Sequence, residues 1–218
     1  MSGAETRIVR AEAHTADEAT VAAAVEALTA GELVVFPTDT VYGIACRADD
    51  AGAVERLFAA KRRPLSKPLP LLLAEAEALA EVATDLDEGI WRLARRFWPG
   101  PLTMVVRKTA SVSDMVTAGQ PTVGVRVPDM ILTCAILRRC PFPVAATSAN
   151  LSEGDPACAV DELPRELLTK VALVVDTGRC PGMMPSTVVD VTVRPARVLR
   201  RGPVAEDDIA KASAEPSL

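Results

Sequence analysis

Five short segments of this 218-residue chain hold side chains able to do chemistry. The densest is Lys61-Arg62-Arg63-Pro64-Leu65-Ser66-Lys67, four cations in seven residues with no acid. Pro64 and Pro68 break any helix there, so the run is a helix end passing into a loop. As a solvated turn it would complement the negative end of the preceding helix. Its Arg forks and Lys point charges also suit the oxygens of a triphosphate. The second segment, Pro37-Thr38-Asp39-Thr40-Val41-Tyr42-Gly43, packs two hydroxyls, a carboxylate and the only Tyr into a turn after a strand. The third, Thr122-Val123-Gly124-Val125-Arg126-Val127-Pro128, sets Arg126 inside an apolar strand, where a buried charge needs a partner. Thr147-Ser148-Ala149-Asn150 and Pro185-Ser186-Thr187-Val188-Val189-Asp190 add hydroxyl and amide groups at strand ends.

Each segment alone reads as ordinary turn chemistry. Together they describe a cavity rich in donors and positive charge. Protein-borne nucleophiles are scarce beside it. The chain has one histidine, His14, which precedes a helix cap and reads as an exposed N-terminal residue. That excludes multi-His metal sites and leaves a Cys-His or Ser-His pair nothing else to use. The five cysteines (46, 134, 140, 158 and 180) are odd in number and form no C-x-x-C pair. They read as reduced, mostly buried thiols, so no metal site is expected from them and a cytoplasmic setting is. Such a cavity suits binding and orienting charged, oxygen-rich substrates more than covalent catalysis.

The elements that must carry these loops follow from hydrophobic spacing. Thr15-Ala16-Asp17-Glu18 reads as a capping box, opening a helix that Gly31 stops. Further helices are expected at 51–61, 75–82, 88–98, 131–139, 163–168 and 205–212. Strands are expected at 33–36, 69–73, 102–107, 123–127, 144–147, 173–176, 187–191 and 197–200. Trp91 and Trp98, seven residues apart in the 88–98 helix, read as core. Alternating short apolar strands and helices imply an α/β fold: a single-domain twisted mixed sheet flanked by helices. We expect an N-terminal segment 1–14, the domain at 15–204, and a C-terminal helix with a frayed tail at 205–218. In such sheets the ligand site gathers at strand ends.

Half of the residues are hydrophobic (49%), and a chain of this length buries roughly 70–75 % of its unfolded surface, so the fold needs no disulfide or metal. No apolar run is long enough to span a bilayer, and residues 1–15 lack the apolar core of a secretory signal; no membrane role is expected. The net charge of −5 argues against generic polyanion binding. It is unevenly spread. Residues 1–60 carry four basic and ten acidic groups, residues 61–150 twelve and eight, and residues 151–218 eight and eleven. The middle of the chain is cationic where the candidate cavity residues concentrate.

Seven segments, in order, resemble the YrdC/TsaC family of threonylcarbamoyl-AMP synthases. They are PTDTVYG at 37–43, KRRPLSKPL at 61–69, FWPGPLT at 97–103, VGVRVP at 123–128, TSANLS at 147–152, PSTVVD at 185–190 and VLRRG at 198–202. The resemblance implies a YrdC-like (YrdC/RibB-type) fold with a concave positive face, in the family's single-domain form. It implies joining of L-threonine, bicarbonate or CO2 and ATP into L-threonylcarbamoyladenylate with release of pyrophosphate, Mg2+ accompanying ATP. By motif, Thr40, Arg126 and Ser186 are implied to contact L-threonine. Lys61, Arg63 and Lys67 match the basic segment on the ATP phosphates. Thr122, Ser148, Asn150 and Arg200 match nucleotide-lining positions. The implied partners are the downstream tRNA threonylcarbamoyl-transferase proteins, which modify adenosine 37, with weak tRNA or double-stranded RNA binding besides.

One loop departs from the family pattern. After the Ser-Ala-Asn motif the family usually runs Ser-Gly, then a Pro and soon a Thr; here the loop is Ser152-Glu153-Gly154-Asp155-Pro156-Ala157-Cys158, with two acids and no Thr. Two carboxylates near a triphosphate repel it unless they face solvent or hold Mg2+, so nucleotide contacts by 152–158 are not expected. Two alternatives stay open on sequence: an RNA-binding paralogue, and a related carbamoyl-adenylate-forming enzyme with another substrate.

Overall fold

Short apolar strands of two to seven residues cannot leave both faces in water, and here they collapse into one mixed sheet between helices. The computed structural model describes residues 6–214. Its strands are β1 (Arg7–Arg10), β2 (Val34–Phe36), β3 (Gly43–Arg47), β4 (Leu71–Leu72), β5 (Ala83–Thr84), β6 (Leu102–Lys108), β7 (Thr122–Arg126), β8 (Val144–Ser148), β9 (Leu173–Asp176), β10 (Thr187–Asp190) and β11 (Arg197–Arg200). Its helices are α1 (Glu18–Thr29), α2 (Ala51–Lys61), α3 (Leu79–Val82), α4 (Glu88–Phe97), α5 (Asp114–Thr117), α6 (Ile131–Arg139), α7 (Arg165–Leu168) and α8 (Glu206–Ala214). The strand order is β1-β9-β2-β3-β8-β4-β7-β6-β10-β11, with β5 paired to β6. Parallel pairs (β1/β9, β2/β9, β4/β7, β6/β10) mix with antiparallel ones, the α/β mixed sheet expected from the sequence.

The two faces of the sheet are covered unequally, and that inequality makes the site. On one face Val35, Ile44, Cys46, Leu71, Met104, Val123 and Val125 pack against Val54 and Leu57 of α2 and Ile90 and Leu93 of α4. On the other, Val34, Phe36, Ala45, Leu72, Val144 and Val175 pack against Leu28 of α1 and Leu132 and Ile136 of α6. That second cluster ends at Leu72 of β4 and takes in no residue of β7, β6 or β10. The register carries the same face onward, pairing Leu72 with Arg126, Val105 with Gly124, and Thr103 with Val188. The uncovered stretch is therefore floored by the sheet itself.

Several expectations are corrected. Asp17, not Thr15, caps α1, its carboxylate accepting from Thr20 N at 2.8 Å, while Thr15 turns back to Glu12 O. Residues 75–82 form a 3₁₀ turn (Ala76–Ala78) and one turn of α-helix rather than a continuous helix. Residues 7–10, expected outside the domain, are the strand at the sheet's edge. β3 escapes notice because Gly43-Ile44-Ala45-Cys46-Arg47 has little β-branching, yet it lies buried between β2 and β8. The C-terminal helix docks on α4, where Arg92 caps it by donating to Ala212 O (3.2 Å) and Ser213 O (3.0 Å). The tail expected to fray, 215–218, lies outside the described residues. Trp98 is buried and donates its indole N–H to Leu102 O at 2.6 Å; Trp91 is partly buried against the core.

Candidate functional site

On the uncovered half of the face lies a cavity of about 390 Å³, within the usual size of ligand pockets. In an open sheet of this kind the ligand is expected at the strand ends. Here the strand surfaces of β6, β7, β8 and β10 form the floor, and the loops after β2 and α2 and before β10 form the walls. Small residues keep the floor low. A Cβ on Gly124 would come within 3.3 Å of Pro70 Cβ and 3.4 Å of Thr103 Cγ2.

The wall after β2 is a turn closed by its own hydroxyls. Thr38 Oγ1 donates to Val41 O at 2.6 Å, accepts from the amides of Thr40 and Val41 at 3.2 Å, and meets Thr40 Oγ1 at 2.9 Å. Tyr42 anchors the turn: its hydroxyl donates to Gly178 O (2.7 Å) and accepts from Thr177 N (3.2 Å). Burial pushes the Tyr42 hydroxyl up to about 12, so it stays protonated.

Arg126 projects from β7 into this wall, buried as a charge in an apolar strand must be if it has partners. Its Nε–H donates to Gly100 O (2.9 Å), Nη1 to Thr40 Oγ1 (2.9 Å) and Nη2 to Asp39 Oδ1 (2.5 Å). The side chains of Arg126 and Asp39 are 7% and 11% exposed, so the pair is screened from water. A guanidinium has five N–H groups; three are spent, and two are left for a ligand.

Two further arginines face the same space. Arg63 lines it while donating to Lys67 O (3.1 Å) and Pro68 O (2.8 Å), fixing the loop after α2. Arg200 lines it from β11, donating twice to Ser186 O (3.1 and 2.8 Å) and once to Ser186 Oγ (3.2 Å). Ser186 Oγ also meets Thr103 Oγ1 at 2.8 Å. Burial lowers the pKa of all three arginines, and Arg200 lowers those of Arg63 and Arg126 further by charge repulsion. Arginine nevertheless stays protonated, so the cavity holds three repelling cations against one carboxylate.

Of the residues singled out from sequence, Thr40, Arg63, Thr122, Arg126, Ser148, Ser186 and Arg200 line the cavity together. Lys61, Lys67 and Asn150 do not. Lys61 was matched to phosphates, but only 1% of it is exposed, and its ammonium donates to Ser148 O (2.5 Å), Asn150 O (2.5 Å) and Asn150 Oδ1 (3.2 Å). It braces the loop that presents Ser148. Asn150 belongs to the same brace, accepting from Ser148 Oγ at 2.5 Å and donating to Gly154 O at 2.5 Å. Lys67 lies outside, 3.5 Å from Glu153. That pairing accounts for one acid of the divergent loop: Glu153 is exposed and turned to a surface lysine. Sequence reasoning did not assign Asp39, Thr38, Thr103 or Gly124, although their motifs were in view.

The five thiols are free, and burial pushes Cys46 up to about 12 and Cys140 and Cys180 to about 11, leaving no thiolate. His14 is exposed. No helix among the described residues is long and apolar enough to cross a membrane.

The fold and site together are an open α/β sheet with an arginine-lined, hydroxyl-rich cavity on its bare face. Comparison with known proteins makes this specific. Residues 26–202 match the family model Sua5_yciO_yrdC, described as "Telomere recombination", and the chain belongs to that family. A Mycobacterium tuberculosis protein named putative threonylcarbamoyl-AMP synthase is 36% identical, over 88% of this chain and 88% of that one. The threonylcarbamoyl-AMP synthase of Pyrococcus abyssi is 37% identical over 85% of this chain. This chain spans about half the length of that relative and of the Bacillus subtilis one, at 54% and 55%. The crystal structure of P. abyssi Sua5 complexed with L-threonine superposes with a TM-score of 0.90 at 35% identity, covering 95% of this chain and 61% of that one. E. coli YciO shares the fold, with a TM-score of 0.82 at 24% identity.

Proposed function

We propose that this chain is a threonylcarbamoyl-AMP synthase, joining L-threonine, bicarbonate or CO2 and ATP into L-threonylcarbamoyladenylate and pyrophosphate. The observation that carries this is the convergence of Arg63, Arg126 and Arg200 on one cavity with a single carboxylate among them. One buried arginine, Arg126, and two partly solvated ones, Arg63 and Arg200, repel one another across the cavity, and a polyanion relieves that repulsion. The names of the relatives, and the L-threonine bound by P. abyssi Sua5, support the choice of substrates.

In this reading the two spare N–H groups of Arg126 take the threonine carboxylate as a fork, and the Thr40 and Ser186 hydroxyls flank it. The threonine amine, as the free base, attacks the one-carbon unit to form a C–N bond and a carbamate: with CO2 one C=O bond opens and nitrogen gives up a proton, and with bicarbonate a C–O bond breaks and water leaves. A carbamate oxygen then attacks the α-phosphorus, and the bond to pyrophosphate breaks. Both nucleophiles belong to substrates, which accounts for a site without thiolate or imidazole. The protein's part is to hold three anions together and offset negative charge at phosphorus, through Arg63, Arg200, Thr122 and Ser148. Lys61 and Asn150 act one step back, holding Ser148 in place.

Mg2+ belongs to the same reading as an escort of ATP. Among the described residues no three His, Cys, Asp or Glu side chains gather, and Asp39 is committed to Arg126. The donor set fits an ion that keeps its waters and rides on phosphate oxygens, which is how Mg2+ ordinarily reaches such sites. There it would neutralise phosphate charge. A cytoplasmic setting and hand-over of the labile adenylate to tRNA-modifying proteins complete the proposal. The test is pyrophosphate release from ATP, Mg2+ and bicarbonate with and without L-threonine. Release that depends on threonine supports the reading; release no greater than the threonine-free control refutes it.

A further inference from the structure

Among the described residues Asp39 is the one carboxylate paired with this arginine cluster, and no step of the proposed chemistry uses it. It ties the loop after β2 to β7, to the start of the loop leading to α6 and to the loop before β10. Its Oδ1 accepts from Arg126 Nη2 (2.5 Å) and from the amide of Asp129 (3.1 Å), at the start of the loop leading to α6. Its own carbonyl accepts from Gly182 N (2.9 Å), in the loop that delivers Ser186. Gly182 is pressed so close that a Cβ there would lie 2.5 Å from Asp39 O and 3.2 Å from Thr40 Cα. The side chain is 11% exposed, beside an arginine that is 7% exposed.

This geometry constrains Arg126. An arginine side chain has many rotamers, and a carboxylate fork forms only if the guanidinium plane is fixed beforehand. Gly100 O and Thr40 Oγ1 each take one N–H with no net charge; only Asp39 brings an opposite charge and a fixed backbone frame. Asp39 also offsets the repulsion that Arg200 exerts on Arg126. The acid thus leaves the guanidinium two free N–H groups in a set direction and makes the local pair neutral. A neutral pair suits a zwitterionic α-amino acid: the carboxylate lands on the fork, and no surplus positive charge repels the ammonium group.

Resting on the synthase reading, we propose that Asp39 is the positioning residue for amino-acid recognition: it acts through Arg126, setting the carboxylate fork for L-threonine, and takes no part in binding ATP. The experiment is steady-state kinetics on pyrophosphate release, varying L-threonine and ATP in turn, for wild type, Asp39→Asn, Asp39→Glu, Arg126→Gln and Asp39→Asn/Arg126→Gln. Thermal melts run in parallel. We expect Asp39→Asn to raise KM for L-threonine about tenfold or more, the loss of one oriented charge-assisted contact, with KM for ATP within about twofold. Asp39→Glu keeps the charge and so keeps the fold, but its extra methylene displaces the guanidinium. It should raise KM for L-threonine several-fold as well, and it carries the test if the Asn variant does not fold. In the Arg126→Gln background, Asp39→Asn should add nothing.

An unchanged KM for L-threonine in a folded Asp39→Asn or Asp39→Glu variant overturns the assignment. So does a parallel rise in both KM values, which marks general disorder of the site, or a further loss in the double variant, which marks direct contact with substrate. Failure of the synthase reading is separate and read first: a wild-type protein that releases no threonine-dependent pyrophosphate refutes both, whereas an active wild type with insensitive Asp39 variants refutes only this one.

Discussion

Lys61 gives the sharpest physical prediction. Its ammonium is 1% exposed, touches three oxygens and has no carboxylate beside it. Burial, helped by the nearby charge of Arg63, brings its pKa from 10.5 down to about 7. Below about pH 7 the group is protonated in the folded and unfolded chain alike, and the cost of burying a charge is carried in full. Between about 7 and 10.5 the unfolded chain holds a proton that the folded one has released, so stability rises with pH in that window. The slope approaches about 1.4 kcal/mol per pH unit, or roughly 3 kcal/mol across two units. Other groups titrate there too, so the quantity to measure is a difference. Urea unfolding of wild type and Lys61→Met at several pH values from neutral to alkaline isolates the lysine. Wild type should gain stability on the Met variant as pH rises. Deprotonation also removes one of three donors from the brace, so the Ser148 loop should loosen while the domain tightens, with KM for ATP rising over the same range. A stability difference flat with pH, or one moving the other way, refutes the argument that an unpaired buried ammonium sits in this brace.

Three further outcomes follow from the same geometry. Gly182→Ala places a methyl against the Asp39 carbonyl and the Thr40 Cα, both backbone and unable to swing aside, so it should cost about 1–3 kcal/mol in chemical denaturation and raise KM for L-threonine. Gly124→Val builds up the cavity floor next to Pro70 and Thr103; turnover should fall steeply while circular dichroism and the melting transition show a folded domain. Arg200→Met removes one of the three cations and its hold on Ser186. KM for ATP should rise by about ten- to a hundredfold, the worth of a charge-assisted contact or two, and its dependence on ionic strength should weaken.

What could be read in the sequence was local, and what could not was relational. The hydrophobic periods located α2, α6, β6, β7, β8 and β9 because each buries a continuous stripe or run. Arg126 was legible as a buried charge in want of a partner, yet nothing local said that the partner was Asp39, 87 residues earlier. β3 was hidden by a Gly-Ile-Ala-Cys stretch whose strand character comes from lying between β2 and β8. The brace was hidden for a related reason. A run of four cations reads as one basic surface, but helix geometry buries Lys61, turns Arg63 inward and leaves Arg62 and Lys67 on Glu166 and Glu153. Charge counting cannot sort cations that the fold points in different directions. The site's location on the sheet face, rather than at strand ends, depended on where α1 and α6 stop, which is a property of packing.

The central claim is that this cavity joins an amino acid, a one-carbon unit and a nucleotide. Incubation with L-threonine, ATP, Mg2+ and ¹³C-bicarbonate, followed at once by mass spectrometry of the quenched mixture, tests it most directly. The account predicts a threonylcarbamoyl adenylate carrying the heavy carbon, formed by wild type and lost in Arg126→Ala. ATP consumed to AMP or ADP with no labelled adenylate, or labelled product formed as well by the Arg126 variant, would contradict it.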